Sequence, residues 1–390
     1  MLVATLVAAL GFVAVAVGTR RYGLRFGGTI VVGVLAVYTL KNFTTLPIFI
    51  GSTAVAYGAL AVVKRYTLAY GRDEFIVAIL AGSLVPSAVY VGAFLLPGPV
   101  ELALYRSVFV GSLLSGIAAF NLHQLRPEHR LRDVGGLAAI YLGLLALGAA
   151  LVGPSTRFLA EYTPLVLFAR TSDIAVLRGA VVEGFVDPAF VARPVVIGLY
   201  ALALGLSEAV RQAFGVRVGT VALGLVAVYT VSTWRLLALT LVTLAVVTVL
   251  VTAIHRGVIL YGRALLSTSA ALGVVVAIPV AALLGVSAGI SSLFAGVVAG
   301  LGGYYVHLTP PTERRQQVAV AVAVFLPLVV LVRAVVPPGP EGIPQALGVA
   351  EVAGGLLVAA VALAVALHYR VEQPDDEAVL AASTLGEGGS

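Results

Sequence analysis

Cysteine is absent from the chain, and only 11% of its 390 residues are charged. The lack of cysteine excludes disulfides, thiolate metal ligands and a cysteine nucleophile. The low charge excludes an ordinary water-soluble domain, in which about 25% of residues are charged. Hydrophobic residues make up 60% of the chain, and the mean hydropathy is +1.07. This composition predicts a polytopic α-helical membrane protein rather than a cytosolic enzyme, a disordered chain or a secreted scaffold.

The signatures of several enzyme classes are also missing. The sequence has no GxxxxGK[ST] phosphate loop, no GxSxG nucleophile elbow and no HExxH zinc motif. Acidic residues are nearly absent from the predicted spans, so no proton relay is expected. His123 and His307 have no second ligand one helical turn away, which argues against a metal site. We therefore predict a chain that is not an enzyme, with no cofactor, no bound metal and no nucleic-acid partner.

Apolar runs bounded by charge, proline or glycine predict about thirteen transmembrane helices, at about 20 residues per span. The predicted spans are 1–18, 27–40, 45–63, 75–96, 105–122, 134–152, 194–210, 218–232, 236–254, 264–284, 288–306, 317–336 and 345–367. The predicted fold class is therefore all-α, a polytopic transmembrane helical bundle.

The basic residues, nearly all of them arginine, predict the orientation of the bundle. Short loops on one side hold only Lys41, Arg106, Arg235 and Arg333, whereas the alternate loops hold most of the others. Because cytoplasmic loops are enriched in Lys and Arg, the N-terminus is predicted outside and the C-terminus in the cytoplasm. We expect a multi-pass protein of the cytoplasmic membrane whose first helix is retained rather than cleaved.

Two parts of the sequence match each other. Tyr70-Gly71-Arg72 corresponds to Tyr261-Gly262-Arg263, and a Gly-x-Arg-x-Gly motif surrounds both Arg25 and Arg217. His123, Pro127 and Arg130 correspond at a constant offset to His307, Pro311 and Arg314. Six spans per unit place both units in the same orientation, so the prediction is two parallel repeats rather than inverted ones.

The matched parts define the predicted domains. Residues 1–152 form the first six-helix repeat, 153–193 an extracytoplasmic connector, and 194–336 the second repeat. Residues 337–370 contain a C-terminal transmembrane helix, and 371–390 form an acidic cytoplasmic tail. The connector is expected to lie on the surface, with 164–169 or 174–186 as interfacial helices.

The matched motifs allow a structural and a functional interpretation. Tyr-Gly-Arg is typical of a tight interfacial turn, but its arginine could also bind phosphate or carboxylate. Short spans broken by glycine favour either a binding site or close helix packing. Arg106 either reaches the interface or guides an anion, while Gly116, Gly296 and Gly300 predict helix packing. The candidate substrate- or partner-binding residues are Arg25, Tyr70, Gly71, Arg72, Arg106, Arg130, Arg217, Tyr261, Gly262, Arg263 and Arg314.

The order of these features resembles the membrane subunit of poly-γ-glutamate (capsule) biosynthesis, the PgsC/CapC family. The matching elements are the glycine-rich stretch from Gly23 to Gly33, the segment RYTLAYGRDEF at 65–75, Tyr105-Arg106, Gly111 to Gly116 and His123-Gln124. Residues 194–336 look like a second, diverged copy that lacks the aromatic-Arg pair. The chain is therefore identified as a duplicated, fused form of this family.

The resemblance implies a non-catalytic membrane subunit that anchors a cytoplasmic ATP-dependent amide ligase and assists export of an anionic polymer. It also implies a second partner, a membrane-anchored subunit that faces outward. The protein also contacts the lipid bilayer. Because the nearly uncharged spans of one chain offer little path for a polyanion, the polymer path is expected to involve oligomerisation or partner subunits. Two alternatives stay open: a secondary transporter of a small organic anion, and a membrane scaffold.

Overall fold

The computed structural model describes residues 1–67, 71–95, 111–184, 191, 193–216, 218–343, 345 and 348–369. Over these residues the chain forms fifteen α-helices and one short 3-10 turn, with no β-strand. The predicted all-α class is therefore confirmed.

The helices follow the predicted segments closely. The first set comprises α1 (Leu2–Tyr22), α2 (Val31–Lys41), α3 (Thr45–Tyr66), α4 (Arg72–Leu95), α5 (Gly111–His123) and α6 (Pro127–Leu151). Two short helices follow, α7 (Phe158–Glu161) and α8 (Asp173–Leu177). The second set comprises α9 (Arg193–Phe214), α10 (Thr220–Ser232), α11 (Trp234–Gly257), α12 (Gly262–Leu283), α13 (Gly289–Leu308) and α14 (Pro311–Val335), and α15 (Val349–His368) comes last. A helix thus lies at each of the thirteen predicted spans.

Eight of these helices are long and apolar enough to cross a membrane, namely α1, α3, α6 and α11 to α15. α15 has a hydropathy of 2.3, yet only 11% of its most apolar window is buried inside the protein. An apolar helix that exposes its side chains in this way is suited to lipid rather than water. The chain is a multi-pass membrane protein.

The two sets pack internally in the same way. In the first set, α4 packs on α5, α3 packs on both, and α2 packs on α6. In the second set, α12 packs on α13, α11 packs on both, and α10 packs on α14. Between the sets, α1 packs along α12 and α9 contacts α4. The first helix of each set therefore contacts the fourth helix of the other.

Glycines permit the closest of these contacts, as the small-residue spacing predicts. A Cβ atom on Gly116 would lie 2.7 Å from the Ala78 carbonyl oxygen, and one on Gly300 would lie 2.6 Å from that of Ser269. A Cβ atom on Gly296 would likewise lie 2.8 Å from the Gly273 carbonyl oxygen. The predicted packing role of Gly116, Gly296 and Gly300 is confirmed.

The helix α2 is short and surrounded by protein. It has 11 residues, which corresponds to about 16 Å of helix, and Val31 to Leu40 are all buried. The preceding residues, 23–30, are not helical but turn into the bundle. Non-helical backbone at membrane depth is stable only where protein buries it and satisfies its polar groups.

The connector lies at one end of the bundle, which we call the connector end. The α-amino group of Met1 donates to the Pro164 carbonyl, and the Phe43 N–H donates to Asp173 Oδ2 at 2.8 Å. Val166, Leu167, Phe168 and Ala169 are buried and lack helical structure, so the predicted interfacial helix at 164–169 is wrong. The other predicted helix, 174–186, is described only as far as residue 184, and over that part 174–177 are helical, as the end of α8. Pro164 removes a backbone donor, and the apolar run packs into the bundle core instead of lying on a membrane surface.

Candidate functional site

The opposite end of the bundle, which we call the basic end, collects the predicted site residues that the structure describes. It comprises the end of α1 and the loop 23–30, the starts of α4, α6, α12 and α14, and the ends of α3, α5, α9, α11 and α13. Arg20, Arg21, Arg65, Arg126, Arg132, Arg256, Arg314 and Arg315 are exposed there. This end therefore presents a positively charged surface.

A buried carboxylate holds the loop that carries Arg25. Asp133, at the start of α6, is 1% exposed. Its Oδ1 accepts the backbone N–H groups of Arg25 at 2.6 Å and Phe26 at 2.8 Å, and its Oδ2 accepts that of Gly27 at 3.3 Å. Three convergent N–H groups on one carboxylate give charge-assisted hydrogen bonds that fix the loop.

The same loop has an unusual backbone conformation. Phe26, Gly27 and Gly28 have φ values of +47°, +68° and +124°. The Phe26 ring fills a notch between Gly18 and Gly136, where a Cβ atom would lie 2.1 Å and 2.6 Å from it. A left-handed φ costs a non-glycine residue about 1–3 kcal/mol. The Asp133 hydrogen bonds and the Phe26 packing offset that cost.

The loop places Arg25 beside the second helix set. Burial lowers the pKa of the Arg25 guanidinium, and the nearby Asp133 carboxylate opposes part of this shift. Next to the loop, a cavity of about 360 Å³ lies between the end of α1 and the start of α6. Tyr22, Gly23, Leu24, Leu125, His129 and Arg132 line it. The loop is therefore accessible from the basic end.

Arg72, the arginine of the first Tyr-Gly-Arg motif, joins the two sets. Its Nε donates to Glu208 Oε2 at 2.9 Å, and its Nη2 donates to the Ser207 hydroxyl. Glu208 also pairs with Arg211 on the same helix, α9. Gly71, which precedes Arg72, has φ +63°, the left-handed conformation expected for a tight turn.

The second motif differs. Tyr261 is 73% exposed and Gly262 has φ +59°. Arg263 lies close enough to Arg25 and Asp133 for their charges to act on it. Its Nη1 atom is buried and has no hydrogen-bond partner among the described residues. Arg25 and Arg263 thus lie within range of each other's charge across the two sets, whereas Arg72 is paired at a separate contact.

Arg130 and Arg314 bind backbone carbonyls. The Nε of Arg130 donates to the Leu125 carbonyl at 3.1 Å, and the Nε of Arg314 donates to that of Thr309 at 3.0 Å. Arg130 also donates to the Tyr57 hydroxyl at 2.6 Å. Both arginines therefore close the end of the preceding helix, where carbonyls lack intrahelical partners.

Sequence analysis overlooked a second buried acid, Glu74. Its side chain is 3% exposed and accepts Lys64 Nζ at 3.0 Å and Gln124 Nε2 at 2.9 Å. Glu74, Asp133 and Glu208 all lie at the basic end, and Glu208 falls inside a predicted span. The expectation that acids are nearly absent from the spans is therefore incomplete. The signal was present in the two acids that directly follow Arg72 in YGRDEF.

His307 also has a partner that its sequence neighbours did not reveal. Its Nε2 lies 2.6 Å from Nδ1 of His255, which belongs to the last turn of α11. Among the described residues, no group of three or more His, Cys, Asp or Glu side chains could hold a metal ion. Three predicted site residues, Tyr70, Arg106 and Arg217, lie outside the described residues.

The site residues of the first set lie mostly in a segment that matches a known family. Residues 10–131 match the family model described as Capsule biosynthesis CapC. Over this stretch the chain is similar to the CapC family. The CapC segment runs from the middle of α1 to the start of α6 and contains Arg25, Arg72 and Arg130. The family description indicates a role in capsule biosynthesis.

Two further comparisons gave nothing. Neither the curated proteins nor the solved structures contain a match to this chain.

Proposed function

We propose that this protein is the non-catalytic integral membrane subunit of a complex that synthesises and exports poly-γ-glutamate or a related capsule polymer. The observation that carries the proposal is the CapC match over residues 10–131, which supply much of the basic end. In the proposed arrangement this end faces the cytoplasm and binds an ATP-dependent amide ligase, while the connector end faces a membrane-anchored outer subunit.

The charge distribution supports this arrangement. Exposed arginines at the basic end would attract an acidic ligase surface or a polyanion. Moving a negative charge outward across an inside-negative membrane gains about 2.3 kcal/mol per 100 mV. Export of an anionic polymer in this direction is therefore favoured by the membrane potential.

The proposal includes a duplicated architecture, and two pairs of contacts support it. Gly116 faces the backbone of Ala78 and Ile79, and Gly300 faces that of Ser269 and Ala270. The residues of the first contact correspond to those of the second in the sequence matches between the two sets. The carbonyl contacts of Arg130 and Arg314 also involve matching residues, each five positions before the arginine. A duplicated unit would retain such contacts.

The ligase contact can be tested by neutralising exposed arginines. In the variant R126Q/R132Q we expect several-fold less co-purified amide ligase and less surface polymer, because charge at the basic end is lost. The matched control is R170Q/R178Q at the connector end, where both arginines are exposed. Because the chain has no cysteine, single introduced cysteines can verify that both variants keep the wild-type topology. Equal ligase recovery in the two variants would contradict the docking role.

A secondary transporter of a small organic anion is the second candidate. Its support is the short, buried helix α2, since broken helices often border transport sites. The buried Nη1 of Arg263, which has no hydrogen-bond partner among the described residues, adds a cation that an anion could bind. Purified protein in proteoliposomes would then take up a labelled dicarboxylate in response to an ion gradient. Uptake with normal capsule after gene deletion would favour this candidate over the first.

A further inference from the structure

The two Tyr-Gly-Arg motifs begin equivalent helices, but their arginines have different surroundings. Each motif starts a helix that contacts the first helix of the other set: α4 contacts α9, and α12 packs on α1. On α9, Glu208 and Ser207 bind Arg72. The guanidinium of Arg72 thus has hydrogen-bonded partners within the protein, and its carboxylate partner Glu208 also pairs with Arg211.

Arg263 has no carboxylate hydrogen-bonded to it among the described residues. The helix α1 contains no Asp or Glu. Counted back from the glycine that ends each helix, Gly23 or Gly215, the position of Glu208 in α9 corresponds to Ala16 in α1. Among the charged groups that act on Arg263, Arg25 has the largest effect, and it is a second cation. The first helix therefore provides no counter-ion.

The charge of Asp133 acts on Arg263, but no hydrogen bond joins the two side chains in the described part of the chain. Both oxygens of Asp133 accept backbone N–H groups of the 25–27 loop. Two guanidinium groups and one carboxylate leave the cluster with a net positive charge. A charged group that is partly buried without a hydrogen-bonded partner carries a desolvation cost, which a bound counter-ion would remove.

We propose that Arg263 and Arg25 form an oxyanion-binding site between the two helix sets at the basic end. The ligand group is a carboxylate or a phosphate, because a guanidinium presents paired N–H donors that match two oxygens. The free Nη1 of Arg263 supplies one donor. Both arginines are half-buried, and the adjacent Tyr261 and Gly262 are exposed, so the group can enter from the basic end.

Three sources could supply the same chemistry: the carboxylates of a γ-linked glutamate chain, inorganic phosphate, or the phosphate of an anionic lipid. The test uses the purified full chain. Binding of a γ-linked glutamate oligomer and of inorganic phosphate is measured by titration in neutral detergent. Lipid binding is measured in nanodiscs of phosphatidylglycerol and, for comparison, phosphatidylcholine.

The variants are R263Q and R25Q, with R256Q as the matched control, because Arg256 is an exposed arginine at the same end. Loss of hydrogen bonds to a charged group predicts at least about tenfold weaker binding in R263Q and little change in R256Q. R263K keeps the charge but loses the paired donors, so it should bind with intermediate affinity. The arm that responds identifies the source of the oxyanion.

Thermal unfolding separates this role from a structural one. Without oxyanion, R263Q should melt at or above the wild-type temperature, because it removes an unpaired, partly buried charge. Oxyanion should raise the melting temperature of the wild type but not of R263Q. The site is refuted if R263Q and R256Q behave alike in all arms, or if R263Q is destabilised without ligand. The site does not depend on the capsule role, which gene deletion tests separately.

Discussion

Removal of the Asp133 carboxylate should loosen the loop that carries Arg25. In D133A, three backbone N–H groups lose their acceptor inside the protein. Each unsatisfied buried donor costs about 1–3 kcal/mol, and the two shorter hydrogen bonds should dominate. We therefore expect D133A to lower the free energy of unfolding by about 2–6 kcal/mol. D133N keeps one acceptor oxygen and should lose about half as much.

The assay combines a global and a local measurement. Thermal unfolding in detergent reports overall stability, and limited trypsin digestion reports the loop, because cleavage after Arg25 requires it to leave the bundle. E128Q is the matched control: Glu128 begins the same helix, but its side chain is 66% exposed, so its ion pair contributes about 0–1 kcal/mol. If D133A melts like E128Q and Arg25 stays protected, Asp133 does not hold the loop.

Two further substitutions test the packing between and within the helix sets. E208Q removes the ion pair with Arg72. Because this pair is partly exposed, its loss should lower the free energy of unfolding by about 0.5–1 kcal/mol, and high salt should weaken the pair in the wild type. An unchanged melting temperature at low salt would contradict this expectation. G273A places a Cβ atom 2.2 Å from the Gly296 carbonyl oxygen, so it should destabilise the protein by about 1–3 kcal/mol in thermal unfolding. The control G143A, which meets no atom within 4 Å, should be neutral, and equal stability of the two variants would refute the close contact.

Much of the fold could be predicted from hydrophobicity. Apolar runs locate helices well because a segment inside a membrane must form its backbone hydrogen bonds within itself, as a helix does. The length of α2 was harder to predict. The run from 27 to 40 is apolar throughout, but Phe26, Gly27 and Gly28 adopt left-handed conformations that delay the helix until Val31.

The packing of the helices could not be predicted in the same way. Alanine and valine dominate many of the helices. The composition of α1 therefore does not specify that it packs against α12 rather than against another helix. The roles of Asp133 and Glu74 were also hidden, because acids at the edges of predicted spans resemble ordinary loop residues. Their burial depends on partners that lie far away in sequence, the 25–27 loop for Asp133 and Gln124 for Glu74.

For the candidate arginines too, the position in the fold could be predicted but the contacts could not. Both Tyr-Gly-Arg motifs stand at the start of a helix, and each has a left-handed glycine before the arginine. The sequence did not indicate that Glu208 binds Arg72 whereas the charge of Arg25 acts on Arg263. That difference arises from which helix of the other set lies alongside each motif.

The most direct test of the central claim is the amount of surface polymer after deletion of the gene. Surface material is extracted, freed of ordinary protein by proteases, hydrolysed and assayed for γ-linked glutamate. Deletion should abolish the polymer, and the full chain expressed from a plasmid should restore it. Unchanged γ-linked glutamate on the surface of the deletion strain would contradict a role for this protein in capsule polymer synthesis and export.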